Sequence, residues 1–432
     1  MKRYRDWLWL AGTGLLLAAV WIGIEWRKAG GEENGSLPKS IVTTVSGDAR
    51  TSRGFAWYTA DRDGAAVVRI AEGAEEDALQ SSTARSITGV TLPVKTSDGE
   101  TQGSHQVNVT GLKPGTTYTY RVGSGAEGSW SESASFTTEA DGAEKVTFLN
   151  VTDSQGVTEA DFAVWGQTLD RAFSLFPDAR FIVHNGDLTE DPGDEAAWDQ
   201  FFGKAQRWMR RVPLMPVTGN HDEIDGGAER LLPHFVLPAN GADGPAPGTN
   251  YSFDYGAVHI AVLNTESKTD RQTAWLRRDL AATDKPWKIV AMHRGAYGGN
   301  TYKKAQQWVP VLDEFQVDLV LQGHNHEYSR SYPLRGGKVT GSADEPVVDR
   351  AGTVYVVTNA SGTKFNEKKD DQFYHAVHFQ NGKPMFAGIT ISGDTLTYQA
   401  YDIDGKKLDE AVLRHQDKRA SSFKDDARLW DR

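Results

Sequence analysis

The sequence predicts an N-terminal transmembrane helix followed by two folded domains, an all-β sandwich and then an α/β domain with β-sheets flanked by helices. Three observations support this prediction. A long apolar run opens the chain, short alternating apolar segments fill residues 40–139, and apolar strands alternate with helical stretches from residue 145 onward. The length of 432 residues also exceeds what one hydrophobic core ordinarily organises, so two domains are expected.

Composition excludes several kinds of site and partner. The formal net charge is -11, and a surface of that charge repels polyanions, which argues against a dedicated nucleic-acid binder. The chain has no cysteine, so it has no disulfide, no thiolate metal site and no cysteine nucleophile. Any metal that it binds must therefore be held by nitrogen and oxygen ligands.

Residues 1–29 form the predicted membrane segment. Basic residues Lys2, Arg3 and Arg5 precede an apolar run from Trp7 to Ile24, which is close to the roughly 20 residues that span a bilayer. No small-residue cleavage site follows this run, so an uncleaved single-pass anchor is favoured over a cleaved signal and secretion, and over a buried soluble helix. The leading basic residues favour a cytoplasmic N-terminus, with the remainder of the chain extracytoplasmic.

Residues 30–39 are polar and glycine-rich, as expected of a linker, and residues 40–139 form the predicted sandwich. The run 112–120, Leu-Lys-Pro-Gly-Thr-Thr-Tyr-Thr-Tyr, resembles the tyrosine corner of fibronectin type III domains, in which a tyrosine hydroxyl bonds to nearby backbone. A spacer or a packing partner for the next domain is the favoured role of this module, and we assign it no site.

Residues 145–405 form the predicted α/β domain, and residues 406–432 a charged C-terminal tail. Within the domain, one helix is predicted from apolar residues at helical spacing, which we expect to face the core rather than a ligand. Those residues are Phe162, Trp165, Leu169, Phe173 and Phe176.

Five apolar runs of this domain each lead into carboxylate, amide or imidazole side chains. Because the loops at the carboxyl ends of strands converge on one crevice in open α/β sheets, these side chains are predicted to meet in space. Glycines directly before three of them fit turns that bring the backbone close to a ligand. The residues after the five runs are Asp153, Asp187, Asn220, His221, Asp222, His293, His324 and His326.

The order of these motifs, Gly-Asp, Gly-Asn-His-Asp, a strand-terminal His and Gly-His-x-His, resembles that of the calcineurin-like metallophosphoesterases over about 145–400. A fibronectin-like module directly ahead of such a domain resembles the arrangement in purple acid phosphatases. The resemblance implies a metal-dependent phosphoric ester hydrolase that holds two ions of iron, manganese or zinc and attacks phosphate mono- or diesters with a metal-bridging hydroxide.

The resemblance also implies a role for each residue. Asp153 and His326 would bind the first metal, Asp187 would bridge both metals, and Asn220, His293 and His324 would bind the second. His221 would face the substrate as a catalytic residue, and Asp222 would orient the ring of His221.

Two positions depart from the family pattern. Purple acid phosphatases carry a metal-bound tyrosine three residues after the second aspartate, where this chain has Glu190, so no purple charge-transfer band is expected. Many relatives place a histidine where this chain has Gln155, whose amide oxygen would be a weak metal ligand or none. Glu190 could compensate for the lost ligand.

Four further residues lie near these motifs in the sequence. His184 and His259 are predicted to be structural, and Arg294 and Tyr297, which follow His293, are weaker candidates for substrate contact. Two other functions remain open: a non-catalytic surface-binding protein with a degenerate metal site, suggested by Gln155 and Glu190, and an extracellular nuclease. No basic, aromatic-rich tract accompanies the motifs, which disfavours the nuclease.

Overall fold

The structure is a computed structural model that describes residues 37–97, 99–224 and 227–415. Its helices are α1 (Glu159–Leu175), α2 (Glu195–Met209), α3 (Thr269–Ala282), α4 (Lys303–Gln306) and α5 (Val309–Glu314), with 3₁₀ turns at Glu76–Gln80 and Leu232–His234. The membrane segment predicted at residues 1–29 lies outside the described residues and stays a prediction. No helix among the described residues is long and apolar enough to cross a bilayer.

The N-terminal domain is a sandwich of two four-stranded antiparallel sheets, with strand orders β1-β2-β6-β5 and β4-β3-β7-β8. Phe55, Trp57 and Tyr120 pack in its core. The Tyr118 hydroxyl accepts the backbone N–H of Lys113 at 2.9 Å, as a tyrosine corner requires. The strands are β1 (Lys39–Thr44), β2 (Ser52–Thr59), β3 (Val67–Glu72), β4 (Arg85–Thr88), β5 (Val90–Lys95), β6 (Thr101–Thr110), β7 (Thr117–Gly123) and β8 (Ala134–Thr137).

The second domain has two seven-stranded sheets packed face to face, with helices on their outer faces. The orders are β11-β10-β9-β22-β23-β24-β19 and β12-β13-β14-β15-β20-β16-β21, beside a small β17-β18 hairpin. The strands are β9 (Lys145–Val151), β10 (Ile182–His184), β11 (Leu214–Pro216), β12 (Tyr251–Tyr255), β13 (Val258–Leu263), β14 (Trp287–Met292), β15 (Leu319–Gln322), β16 (Tyr328–Ser331), β17 (Leu334–Arg335), β18 (Lys338–Val339), β19 (Val347–Val348), β20 (Val354–Val357), β21 (His375–Phe379), β22 (Met385–Ser392), β23 (Thr395–Asp402) and β24 (Lys407–Arg414).

Helix α1 follows from its sequence. Thr158 caps its first turn reciprocally with Asp161, which satisfies backbone N–H groups that the helix itself cannot pair. The five apolar residues predicted to face the core, from Phe162 to Phe176, all lie in the buried cluster between this helix, α2 and the first sheet. The predicted core role of this helix is therefore confirmed.

The sandwich packs against α2 of the second domain. The Gln206 side chain bonds both the N–H and the carbonyl of Ile41, and the Tyr120 hydroxyl donates to the carbonyl of Arg210 at 2.7 Å. Val42 and Ala56 of the sandwich join the apolar cluster around α1 and α2. These contacts agree with the expectation that the sandwich serves as a packing partner.

The predicted start of the C-terminal tail at residue 406 is wrong. Strand β24 pairs with β23 along its length, and Ala411 and Leu413 are buried in the domain core. The domain therefore continues to at least Arg414. The rest of the predicted tail, residues 416–432, lies outside the described part of the chain.

Candidate metal centre

The topology brings the five strand ends together. Strands β9, β10 and β11 are parallel neighbours in one sheet, and β14 and β15 are parallel neighbours in the other. Their carboxyl ends therefore lie at one edge of the two packed sheets. The loops at this edge carry the predicted ligands, of which Asp153, Asp187, His293 and His326 are each less than 5% exposed.

Two groups of ligand atoms converge at this edge. The ligand atoms of Asp187, His293 and His324 lie within 4.8 Å of one another, and so do those of Asp153, Asp187 and His326. Asp187 belongs to both groups, as expected of a residue that bridges two metals. Asn220 joins the group that contains His293, because its Oδ1 lies 3.1 Å from Nε2 of His293.

The hydrogen bonds of two histidines fix which ring nitrogen faces this centre. Nδ1 of His293 donates to the carbonyl of Asn185, and Nδ1 of His326 donates to the carbonyl of Lys364, each at 2.7 Å. In the neutral ring, Nε2 then carries a lone pair. Nε2 of His293 lies 3.1 Å from Oδ2 of Asp187, and Nε2 of His326 lies 3.2 Å from Oδ1 of Asp153. Acceptor atoms therefore face one another.

Facing acceptors require a positive charge between them. Burial lowers the pKa of His293, but the charges of Asp187 and Asp153 outweigh it and raise that pKa to about 10. Burial raises the pKa of Asp153, but His326 and His293 outweigh it and hold that pKa well below its usual value. A metal cation at the same place satisfies the same atoms, and the nitrogen and oxygen donors fit iron, manganese or zinc.

The backbone is held in an uncommon conformation at the same residues. Asp153, Asp187, His324 and His326 all have positive φ, between 51° and 73°. Such a conformation costs a non-glycine residue about 1 kcal/mol or more, and it persists where the surroundings enforce it, often at functional sites. Gly186, with φ of 94°, lies so close to His293 that a Cβ would stand 2.7 Å from Nδ1, which agrees with the predicted close approach at this turn.

Gln155 and Glu190, the two departures from the family pattern, lie beside each other. Gln155 is 2% exposed, and its Oε1 has no hydrogen-bond partner among the described residues. An amide oxygen that binds a cation would have the same surroundings. Its Nε2 donates to Glu190 at 3.4 Å. Glu190 is also paired with the ammonium of Lys364 at 3.1 Å, so its charge is partly engaged at the rim of the site. Ligation by either residue stays a prediction.

His221 lies at the rim, but its ring is not oriented by Asp222 as predicted. Nδ1 of His221 donates to the backbone carbonyl of Glu190 at 2.8 Å. The Asp222 carboxylate is fully buried and instead accepts the backbone N–H groups of Asp187, Leu188 and Gly219 at 2.7–3.0 Å. Burial and the charge of Asp187 raise the pKa of Asp222 to about 7. Asp222 therefore joins two ligand-bearing loops and does not touch the ring.

Arg294 connects the centre to a residue that the sequence reasoning missed. Its Nη1 donates to Nε2 of His324 at 2.9 Å, and its Nε lies 3.0 Å from both carboxylate oxygens of Glu266. Glu266 follows β13 just as the predicted ligands follow their strands, so the same strand-end signal could have found it. Tyr297, by contrast, packs its ring against Tyr355 and Tyr374.

His184 and His259 are structural, as predicted. His184 is fully buried, packs edge-on against Trp165, and shares a hydrogen bond with Ser154 at 2.8 Å. His259 is held between Asp254 and Asp279, at 2.7 and 2.8 Å.

Comparison with known proteins agrees with this arrangement. Residues 38–138 match the family described as the N-terminal domain of purple acid phosphatase, and residues 146–328 match the family of calcineurin-like phosphoesterases. A purple acid phosphatase from yellow lupin seeds superimposes with a TM-score of 0.75 over 89% of this chain and 75% of that chain. Its sequence identity is 19%, so this likeness concerns the fold.

Several relatives align at higher identity. Acid phosphatase type 7 of Danio rerio is 30% identical over 62% of this chain and 66% of its own length. Purple acid phosphatase 15 of Arabidopsis thaliana is 27% identical over 60% of this chain and 54% of its own length. An uncharacterized protein of Mycobacterium tuberculosis is 30% identical over 202 residues, and the chain spans only 38% of the length of that relative.

Proposed function

The chain joins a purple acid phosphatase N-terminal domain to a calcineurin-like phosphoesterase domain, and from this premise we propose that it is a hydrolase of phosphate mono- or diesters with a dinuclear metal centre. One observation supports the proposal above the others. Two histidines present Nε2 lone pairs to buried carboxylates at 3.1–3.2 Å, and Asp187 is shared by both groups of ligand atoms. This donor set suits two ions side by side.

Each of the two proposed metal ions has its own set of ligand residues. Asp153, His326 and Asp187 would hold the first ion, and Asp187, Asn220, His293 and His324 would hold the second. Two such ions, when bound, supply Lewis-acid stabilisation of the phosphoryl oxygens and a nucleophile at neutral pH.

His221 is placed to act on the substrate. Its Nδ1 is occupied by the Glu190 carbonyl, which leaves Nε2 to carry the proton that the departing oxygen needs. The Glu190 carboxylate lies 3.8 Å from the same Nδ1. The side chain is 27% exposed, so a substrate can reach it from solvent.

Arg294 is the proposed phosphate-binding cation. Its Nε is fixed by Glu266, so the guanidinium is already oriented toward the centre, with Nη1 on His324. A guanidinium held in this way can give two parallel hydrogen bonds to phosphoryl oxygens.

The alternatives explain less of the structure. A degenerate binding protein would not need four ligand candidates in strained backbone, and Gln155, one of the two departures, still presents an amide oxygen without a partner among the described residues. For the location we propose display outside the cytoplasmic membrane, on the basis of the basic residues and the apolar run at the N-terminus.

The proposal is tested by measuring hydrolysis of a phosphomonoester and a phosphodiester after removal of metal and addition of manganese, iron or zinc. We expect metal-dependent turnover that is lost in Asp187→Asn. Asp178→Asn is the matched control, since this aspartate is 72% exposed and its only described ion pair is with Lys145 at 3.8 Å. Absence of turnover with every metal would favour the binding-protein alternative.

A further inference from the structure

A second group of imidazole and carboxylate side chains lies beside the metal centre but outside it. Glu327 directly follows His326 and precedes Tyr328, the first residue of β16. His378 lies on β21, which pairs with β16. Asp371 and Lys369 reach the same place from the loop at residues 361–374. The Glu327 and His378 side chains are 0% and 2% exposed.

Two atoms of this group are buried without a hydrogen-bond partner among the described residues, Oε1 of Glu327 and Nε2 of His378. Nδ1 of His378 shares a hydrogen bond with Asp371 at 2.8 Å. In the neutral ring Nδ1 donates to that carboxylate, so Nε2 keeps its lone pair. Nε2 lies 3.2 Å from Oε2 of Glu327.

The same arrangement occurs at the two histidines of the metal centre. In His293 and His326, as in His378, Nδ1 is bonded to an oxygen and Nε2 faces a carboxylate oxygen at 3.1–3.2 Å. Ligand atoms about 2.0–2.1 Å from a tetrahedral zinc ion are roughly 3.4 Å apart, close to this spacing. A carboxylate on the far nitrogen of a ligating histidine is also a frequent companion of metal sites.

The hydrogen bonds decide which neighbours take part. His375 lies next to His378 but is fully engaged, because Nδ1 accepts the N–H of Gln372 and Nε2 donates to the carbonyl of Gly298. The ammonium of Lys369 is 4.0 Å from Oε1 of Glu327, at the limit of an ion pair, and competes with a cation for that oxygen. Glu327 and His378 are therefore the ligands, and Asp371 supports the ring.

We propose that Glu327 and His378 bind a further divalent transition-metal ion, zinc being the best match, separate from the centre formed by Asp153, Asp187 and their partners. Water completes its coordination. The site lies between the residue that precedes β16, strand β21 and the 361–374 loop, and that loop also supplies the carbonyl of Lys364 to His326. A cation bound there stabilises the position of this loop beside the metal centre.

The test uses the full-length chain, stripped of metal and then equilibrated with zinc, with bound zinc counted by elemental analysis. Wild type binds one equivalent more than Glu327→Gln and one more than His378→Gln. This difference persists when Asp187→Asn disables the main centre, which separates the further site from the proposed phosphoesterase. His375→Gln is the matched control and keeps the wild-type count.

Two more variants keep the result independent of folding defects. Lys369→Ala removes the competing ammonium, so we expect zinc to bind about two- to fivefold more tightly, a gain that misfolding cannot produce. Asp371→Asn weakens the site by roughly 10- to 100-fold. Equal zinc counts in wild type, Glu327→Gln and His378→Gln, with no gain in Lys369→Ala, would overturn the proposal in favour of an imidazolium held between two carboxylates.

Discussion

Replacement of Asp409 by alanine tests how the two sheets of the second domain are held together. Asp409 lies in β24 of the first sheet and is bound by two residues of β16 in the second. Its carboxylate accepts Nε and Nη2 of Arg330 at 2.6 and 3.0 Å and the hydroxyl of Tyr328 at 2.6 Å. Both charged side chains are less than 8% exposed.

The expected cost follows from burial. Removal of one partner of a buried ion pair costs about 3–5 kcal/mol, because the remaining charge has no compensation. An entropy of unfolding of about 2.1 cal/mol/K per residue gives roughly 0.8 kcal/mol/K for the described part of the chain, so Tm should fall by about 4–6 °C. The assay is thermal unfolding followed by circular dichroism or calorimetry at low protein concentration.

The neighbouring residue provides the control. Glu410 pairs with Lys407 on the surface, where both side chains are more than a third exposed, so Glu410→Ala should cost no more than about 0.5 kcal/mol. Replacing the pair by Arg330→Met with Asp409→Leu should recover most of the loss, since apolar residues of similar volume can replace buried pairs. Equal Tm values for Asp409→Ala and Glu410→Ala would show that the buried pair does not hold the two sheets together.

Three further predictions concern other parts of the molecule. Burial lowers the pKa of His259, but hydrogen bonds to Asp254 and Asp279 outweigh it and raise that pKa to about 9. The raised pKa contributes up to about 3 kcal/mol of stability that is present below pH 6.5 and lost as pH rises through 9. The free energy of unfolding of His259→Gln in urea should therefore change less with pH between about 6.5 and 9 than that of wild type. An equal change in both proteins would contradict the raised pKa of His259. Tyr118→Phe should cost about 1 kcal/mol by removing the bond to Lys113, measured by urea unfolding against the exposed control Lys338→Ala, and no loss would contradict the corner. The iron-loaded protein should lack an intense visible charge-transfer band, because Glu190 stands where purple relatives have tyrosine; a strong band in its absorption spectrum would contradict this.

The sequence predicted the placement of the ligand candidates because their positions depend on simple rules. An apolar run that forms a parallel strand delivers the next polar residue to one edge of the sheet, which is how Asp153, Asp187 and His293 could be placed together. The alternating apolar pattern of the sandwich and the helical spacing from Phe162 to Phe176 are equally local signals.

The interpretations that failed depend on contacts between distant segments. The ring of His221 is held by the carbonyl of Glu190, which is 31 residues away and carries no side-chain signal. The sequence of strand β24 resembles a charged tail because it is rich in charged residues. One of them, Asp409, is buried by its pairing with Arg330, which lies 79 residues earlier. Such pairings depend on how the two sheets pack. Neither the spacing of apolar residues nor the composition of a segment predicts that packing.

Metal content and phosphomonoester hydrolysis of His221→Ala together show whether His221 acts on the substrate of a metal centre built from strand-end residues. We expect the variant to keep the metal content of wild type while its kcat falls by about 10²- to 10⁴-fold, since the ring contacts the Glu190 carbonyl and lies at the rim of the site. A variant that hydrolyses the ester at the wild-type rate, or that loses rate only in proportion to lost metal, would show that His221 has no catalytic role.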